Sequence, residues 1–181
     1  MKRTFQVCLL AALWLLPMAA LPQTAPLTRD QERERLRTTL NRVGALSDVN
    51  VSFRQSDKQP WNFVGQVTSG LKNAESLEVV LSVTEDHTIH LRVYPHFKGG
   101  YINVGKATDS PGLARKLLNM NYHTFFYWGA DDDGDIYGGY KFTLESGYPE
   151  ESIQIVLRSI RNTDQFIGSL RPFVDGSAAA Q

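Results

Sequence analysis

The acidic run DDDGD at residues 131–135 has the residue types of a calcium-binding loop, because carboxylate oxygens are preferred ligands of Ca²⁺. An EF-hand loop needs glycine at its sixth position and a bidentate glutamate at its twelfth. If Gly134 takes the sixth position, Gly129 is first and Tyr140 is twelfth, and neither is a carboxylate. This spacing excludes an EF-hand. We predict a solvated hairpin tip, with loose binding of a divalent cation as the alternative.

The four histidines lack metal-ligand spacing. His87 and His90 are three residues apart, which would put them on one face of a helix. They fall instead in a predicted loop and strand, where residues i and i+3 point to opposite faces. His96 and His123 are distant, and the only thiol is that of Cys8. We therefore predict no metal site and no cofactor.

No residues form a recognisable catalytic set. No serine lies in the G-x-S-x-G pattern of a nucleophile elbow, and Ser146 precedes Gly147 in a predicted turn. Glu150 and Glu151 open a predicted helix, where their charges favour the helix dipole rather than acid–base chemistry. The sequence thus predicts a protein that is not an enzyme. A hydrolase built from scattered Asp, His and Ser residues is the least favoured alternative.

Residues 1–20 have the pattern of a cleaved signal peptide. Lys2 and Arg3 precede an apolar run from Phe5 to Leu16, which is shorter than the roughly 20 residues that span a bilayer. We therefore predict a periplasmic or secreted mature chain without a transmembrane segment. Removing Lys2 and Arg3 from 19 basic residues leaves 17 against 19 acidic ones, a net charge near −2. This charge provides no basic field for nucleic acid.

About 160 mature residues suit one domain. We predict this domain over residues 28–174, followed by a flexible polar tail, DGSAAAQ, over residues 175–181. Apolar periodicity predicts an α+β fold with helices packed on one face of an antiparallel sheet, in the order α-β-β-β-α-β-β-α.

The first helix and the central hairpin have the clearest signals. Thr28 and Gln31 form a capping box, and Gly44 ends the helix. Residues 77–83 and 89–93 alternate apolar and polar, and a three-residue loop at 85–87 would place their apolar side chains on one face. The runs 49–53 and 61–68 carry weaker strand signals.

The second half of the chain is predicted to form a helix, a hairpin and a final helix. Ser110 and Pro111 begin a short helix. This helix is predicted to bury Leu113, Leu117 and Leu118 and to end between Asn119 and Asn121. Strands 122–128 and 136–145 follow. The last helix starts near Pro149 and kinks at residues 162–164.

The Asp133-Gly134 pair suits a two-residue type I′ turn between these two strands. This turn would pair Tyr127 with Tyr140 and Phe125 with Phe142 on the core face. The opposite face would then present large rings and a lysine, which need either a helix of the same chain to cover them or a partner at an interface. A one-residue bulge in the hairpin would exchange the two faces. The predicted interaction surface consists of Phe126, Trp128, Tyr137 and Lys141.

The run LARKLLNMN, the aromatic strand, the acid-Gly turn and the terminal helix resemble the YbjN family, labelled bacterial sensory transduction regulators. The resemblance covers roughly Arg29 to Phe173. It implies the fold of type III secretion chaperones, which are homodimeric modules that bind polypeptide segments without chemistry. Those chaperones are cytoplasmic, whereas this chain is predicted to be exported, and the family offers no catalytic residues to transfer.

We therefore expect an exported module that binds a protein or peptide partner, with a homodimer as one expected assembly. The alternative is a small-molecule or lipid-binding envelope protein with a pocket between the last helix and the sheet.

Overall fold

The computed structural model describes residues 27–177. The predicted signal peptide lies outside these residues, as do residues 178–181 of the predicted tail. Within the described tail, Asp175 forms an ion pair with Lys98, with 2.6 Å between Oδ2 and Nζ.

Helix α1 spans Arg29–Gly44 and begins as its sequence predicts. The Thr28 hydroxyl accepts a hydrogen bond from the Gln31 backbone N–H, and the Gln31 side chain accepts one from the Thr28 N–H at 2.9 Å. Leu36, Leu40 and Val43 are buried along one side of the helix. The capping box and the apolar stripe are therefore confirmed.

An antiparallel sheet forms the centre of the domain. Its strand order is β1-β2-β3-β4-β7-β6, and β5 pairs with the end of β4. The strands are β1 (Arg54–Gln55), β2 (Asn62–Val67), β3 (Ser76–Val83), β4 (Thr88–Phe97), β5 (Gly100–Tyr101), β6 (Tyr127–Ala130) and β7 (Ile136–Thr143). The α+β class is confirmed, but five strands rather than the predicted three lie between α1 and the helix Ser110–His123. The predicted strand at residues 49–53 is reduced to the two-residue β1 that follows it, although Val49 and Val51 are buried.

The apolar residues of the central hairpin face the helices. Val79 pairs with Val93 and Leu81 with Leu91, as predicted from the three-residue loop. These side chains are fully or almost fully buried in one core with residues of the helices, among them Leu36, Leu113, Ile153 and Leu157. The opposite side chains of the sheet form an outer face that is largely half-buried or exposed.

Helix α2 runs over Ser110–His123 and is longer than predicted. Asn119 and Asn121 do not end this helix, because Met120 between them extends the buried stripe of Leu113 and Leu117 by another turn. Leu118, predicted to be buried, is 71% exposed. The strand predicted over residues 122–128 therefore shortens to β6.

The second hairpin has a register one residue away from the prediction. Tyr127 pairs with Gly139, not with Tyr140. A type I′ turn needs positive φ at both central residues, but Gly134 has a φ of +83° and Asp133 is not among the positive-φ residues. The Asp131 N–H donates to the Asp135 carbonyl at 3.0 Å, which closes a three-residue loop. The extra loop residue exchanges the two faces of β6 relative to the prediction.

The last helical segment is interrupted at the polar residues 161–164, at the position of the predicted kink. Helix α3 (Glu150–Ser159) passes through a 3₁₀ turn, Ile160–Thr163, into α4 (Asp164–Gly168) and then α5 (Arg171–Val174). Among residues 27–177, no helix combines the length and apolar character needed to cross a membrane.

Candidate functional site

The four residues of the predicted interaction surface do not share a face. Phe126 and Trp128 are each only 4% exposed and belong to the core, so their predicted exposure is wrong. The Trp128 indole packs against Phe166 and donates a hydrogen bond to the Thr124 hydroxyl at 3.1 Å. The change in strand register is the physical reason for the burial of these two rings. Tyr137 and Lys141 do lie on the outer face, half-buried and exposed respectively.

A row of tyrosines crosses this outer face instead. We call Tyr127, Tyr137, Tyr94 and Tyr101 the tyrosine ladder; they lie on β6, β7, β4 and β5 in that order. Successive ring centroids are 6.0, 5.6 and 5.7 Å apart, within the range of aromatic pairs that stabilise each other. The ladder is a continuous row of rings that hold one another in place; Tyr94 is only 9% exposed, so Tyr101, Tyr127 and Tyr137 provide its accessible surface.

Glycines in the hairpin make room for the ladder. A Cβ atom at Gly139 would lie 2.4 Å from Tyr127 Cζ, so this ring lies directly over the glycine. Across the same hairpin, Gly129 is paired with Tyr137, and a Cβ there would meet the Tyr137 hydroxyl at 3.6 Å. An aromatic ring covering a strand glycine compensates for the side chain that the glycine lacks. The sequence signal was Y-G-G-Y at residues 137–140, which sequence reasoning did not use.

Three basic side chains lie beside the ladder, and we call Arg92, His90 and Lys141 the basic triplet. His90 on β4 is paired directly with Lys141 on β7, and Arg92 follows His90 by two residues on the same face. The Arg92 guanidinium carbon lies 5.1 Å from the centre of the Tyr137 ring. This distance is that of a cation–π interaction.

The triplet has an electrostatic signature at His90. Partial burial lowers the pKa of the His90 imidazole, and the positive charges of Lys141 and Arg92 lower it further, whereas Asp86 opposes them. Because the pKa is below its ordinary value of 6.5, His90 is uncharged at neutral pH. The local positive charge is thus carried by Arg92 and Lys141.

We predict that Lys141→Gln raises the pKa of His90, because the substitution removes a cation that disfavours the imidazolium. The measurement is a pH titration of the His90 ring followed by NMR. Lys106→Gln, a change of another exposed lysine, is the control and should leave the His90 curve in place. Overlapping titration curves for Lys141→Gln and the unmodified protein would contradict the coupling.

Helix α2 closes the edge of the sheet beside the ladder. The Asn121 amide oxygen accepts a hydrogen bond from the Trp128 backbone N–H, and the amide nitrogen donates to the Trp128 carbonyl at 3.2 Å. These contacts satisfy backbone groups that an edge strand would otherwise expose. Asn121 therefore hydrogen-bonds the edge strand of the sheet and does not end the helix.

A depression of about 530 Å³ lies where α2, β6 and β7 meet. Its lining residues are Asn121, Thr124, Phe125, Phe126, Tyr127, Tyr140 and Lys141. Phe125 is 57% exposed and stacks on Tyr140, with 4.8 Å between ring centroids. The pocket expected in the alternative function lay between the last helix and the sheet, whereas no residue of α3 lines this depression.

The acidic tip has a structural role. One carboxylate oxygen of Asp131 accepts hydrogen bonds from the N–H groups of Asp133 and Asp135, at 3.1 and 2.9 Å. Asn103 donates to the Asp133 carbonyl and to an Asp135 carboxylate oxygen, both at 2.8 Å. Two of the tip's carboxylates are therefore engaged in holding the turn. Over residues 27–177, no three His, Cys, Asp or Glu side chains converge as metal ligands would.

No family model matches this chain, and no curated protein matches it. The YbjN resemblance stays a prediction. The chemistry of the outer face is therefore the basis for a functional proposal.

Proposed function

We propose that this protein is a non-enzymatic binding module that holds a polypeptide partner against the tyrosine ladder. The observation that carries the proposal is the ladder itself, a row of four packed tyrosines with an arginine beside it on the outer face of the sheet. Tyrosine and arginine are the residues that, with tryptophan, supply most of the binding energy of protein interfaces. Tyr101 at the end of the ladder is 40% exposed.

The packing of the ladder favours binding. A flexible side chain loses rotamer freedom when a partner immobilises it. This loss of entropy costs about 0.5–1.5 kcal/mol of binding free energy for each such side chain. The ladder rings already contact one another, and Tyr127 lies over Gly139. Their ordering therefore costs little when a partner arrives.

The shape of the surface favours a polypeptide over a small ligand. Small-molecule sites are concave and enclose most of their ligand. The ladder instead extends across four strands as a surface, which suits a partner that makes many contacts over a large area. The export and YbjN predictions agree with such a role, with the partner located in the periplasm or outside the cell.

A small apolar ligand is the second candidate. The depression beside α2 has a volume within the roughly 300–1,000 Å³ range of ligand pockets, and it is lined by the rings of Phe125, Phe126 and Tyr140. An apolar compound that co-purifies with the protein and is displaced by Phe125→Ala would favour this candidate.

Photocrosslinking tests the ladder. A photoreactive benzophenone amino acid at Tyr101 is expected to give discrete polypeptide adducts in the native cell envelope, several-fold more abundant than those from the same amino acid at Tyr122. Tyr122 is a matched control, because it is 86% exposed and lies on α2 rather than on a strand that carries the ladder.

The adduct masses distinguish the partners. An adduct of twice the chain mass identifies a second copy, and another recurrent mass identifies a different polypeptide; both support the ladder as the interface. Equal or absent adducts at the two positions would rule out the proposal.

A further inference from the structure

We propose that the basic triplet is a binding site for a carboxylate group of the partner, so that the polypeptide held by the ladder is acidic where it crosses β4 and β7. This inference rests on the proposed function and adds the chemistry of the partner. It is carried by the placement of Arg92, His90 and Lys141 and by the absence of a counter-ion for Arg92 among residues 27–177.

The sheet places the three side chains next to one another on its outer face. His90 and Lys141 are directly paired residues of neighbouring antiparallel strands, so their Cβ atoms are about 4.5–5.5 Å apart. Arg92 is opposite Gly139, and the Tyr127 ring covers this glycine, so the Arg92 side chain has the Tyr127 ring beside it. The Tyr137 ring lies under the guanidinium and restricts its orientation.

Arg92 differs from most arginines of the domain in having no carboxylate partner among residues 27–177. The arginines that form ion pairs in this part of the chain are Arg29, Arg33, Arg37, Arg42, Arg54 and Arg158. Arg92 is half-buried, and its Nε atom is buried without a hydrogen-bond partner in the described structure. This atom is enclosed by the protein, but the terminal nitrogens of the guanidinium are not among the buried atoms, and they are the donors that a carboxylate of the partner would contact.

The charge of the site suits a carboxylate. Lys141 also forms no ion pair within residues 27–177, so two unpaired positive charges are adjacent on this face. His90 is uncharged at neutral pH, and Asp86 faces it from the loop between β3 and β4. A planar carboxylate can accept two parallel hydrogen bonds from a guanidinium while the lysine supplies the second charge.

Acetate is the probe for this site. We expect sodium acetate, titrated at constant ionic strength against sodium chloride, to shift the His90 ring resonances saturably at fixed pH. Arg92→Gln should weaken the apparent affinity at least tenfold, since a hydrogen-bonded charge pair is worth about 1.5–3 kcal/mol. Arg115→Gln, a change of an exposed arginine on α2, should leave the affinity unchanged. Lys141→Gln, at an exposed position, serves as the second variant should Arg92→Gln fail to fold.

Three results would overturn the inference. One is an identical response to acetate and chloride, and another is unchanged acetate affinity in folded Arg92→Gln or Lys141→Gln. The third is saturation by inorganic phosphate at one-tenth of the acetate concentration or less, which would assign the site to phosphate.

The two proposals can fail separately. Crosslinks from Tyr101 without saturable acetate binding would remove the carboxylate site alone. Saturable acetate binding without crosslinks from Tyr101 would remove the polypeptide-binding function instead.

Discussion

Trp128→Ala is expected to lower the free energy of unfolding by about 3–5 kcal/mol, the usual cost of truncating a buried large aromatic residue. Trp128 is 4% exposed, packs against Phe166 and donates its indole N–H to the Thr124 hydroxyl. The substitution removes these contacts and leaves a cavity between the sheet and the terminal helices. Urea denaturation followed by circular dichroism measures the loss.

Trp61→Ala is the matched control, because Trp61 is half-buried at the surface. The centre of its ring lies 4.1 Å from the Arg29 guanidinium carbon. We expect this variant to lose about 1 kcal/mol. Equal losses for the two tryptophans would contradict the burial of Trp128 and favour the register with exposed rings. A loss of partner capture in Trp128→Ala would reflect unfolding, so Tyr101 is the better position to probe the surface.

Asp164→Ala is expected to destabilise the domain by about 3–5 kcal/mol, because it leaves buried donors without an acceptor. The Asp164 carboxylate is almost fully buried and accepts hydrogen bonds from the backbone N–H groups of Lys72, Asn73 and Ala74, at 2.7, 3.1 and 2.8 Å. The Asn73 side chain also donates to the Asp164 backbone carbonyl. This carboxylate joins the loop before β3 to the start of α4.

Hydrogen exchange gives a local readout for Asp164→Ala, since the amides of residues 72–74 should exchange faster than those of β3. Asp164→Asn keeps one acceptor oxygen and is expected to lose less stability than Asp164→Ala. Asp57→Ala, at an exposed aspartate, should stay within about 0.5 kcal/mol of the unmodified protein. A small effect of Asp164→Ala, like that of Asp57→Ala, would show that the three N–H groups find other acceptors.

The two hairpins show why one register was predictable and the other was not. The β3–β4 loop has His87 at a φ of +54°, and the β6–β7 loop has Gly134 at +83°, so both are three-residue loops. In the first hairpin, apolar residues alternate strictly with polar ones, and only one register puts them all on one face. In the second, large rings lie on both faces, so alternation cannot choose, and Asp-Gly is compatible with either turn.

In helix α2, asparagine has a role other than the helix-ending role that its residue type predicts. Asparagine commonly ends helices, because its side chain competes for backbone hydrogen bonds. Asn121 instead uses its amide to bond the Trp128 backbone across the edge of β6. This role depends on a strand that lies beside the helix only in the folded domain.

The sequence by itself determined the α+β class, the capping box of α1, the β3–β4 hairpin and the interruption after α3. Each follows from residues near one another in the chain, through caps, loop length and apolar periodicity. The tertiary structure decided which rings are buried, the acceptor role of Asp164, the tyrosine ladder and the position of Arg92 beside Tyr137. These features depend on register and on contacts between residues distant in sequence, such as the bond between Asp164 and Lys72, where local patterns leave more than one arrangement open.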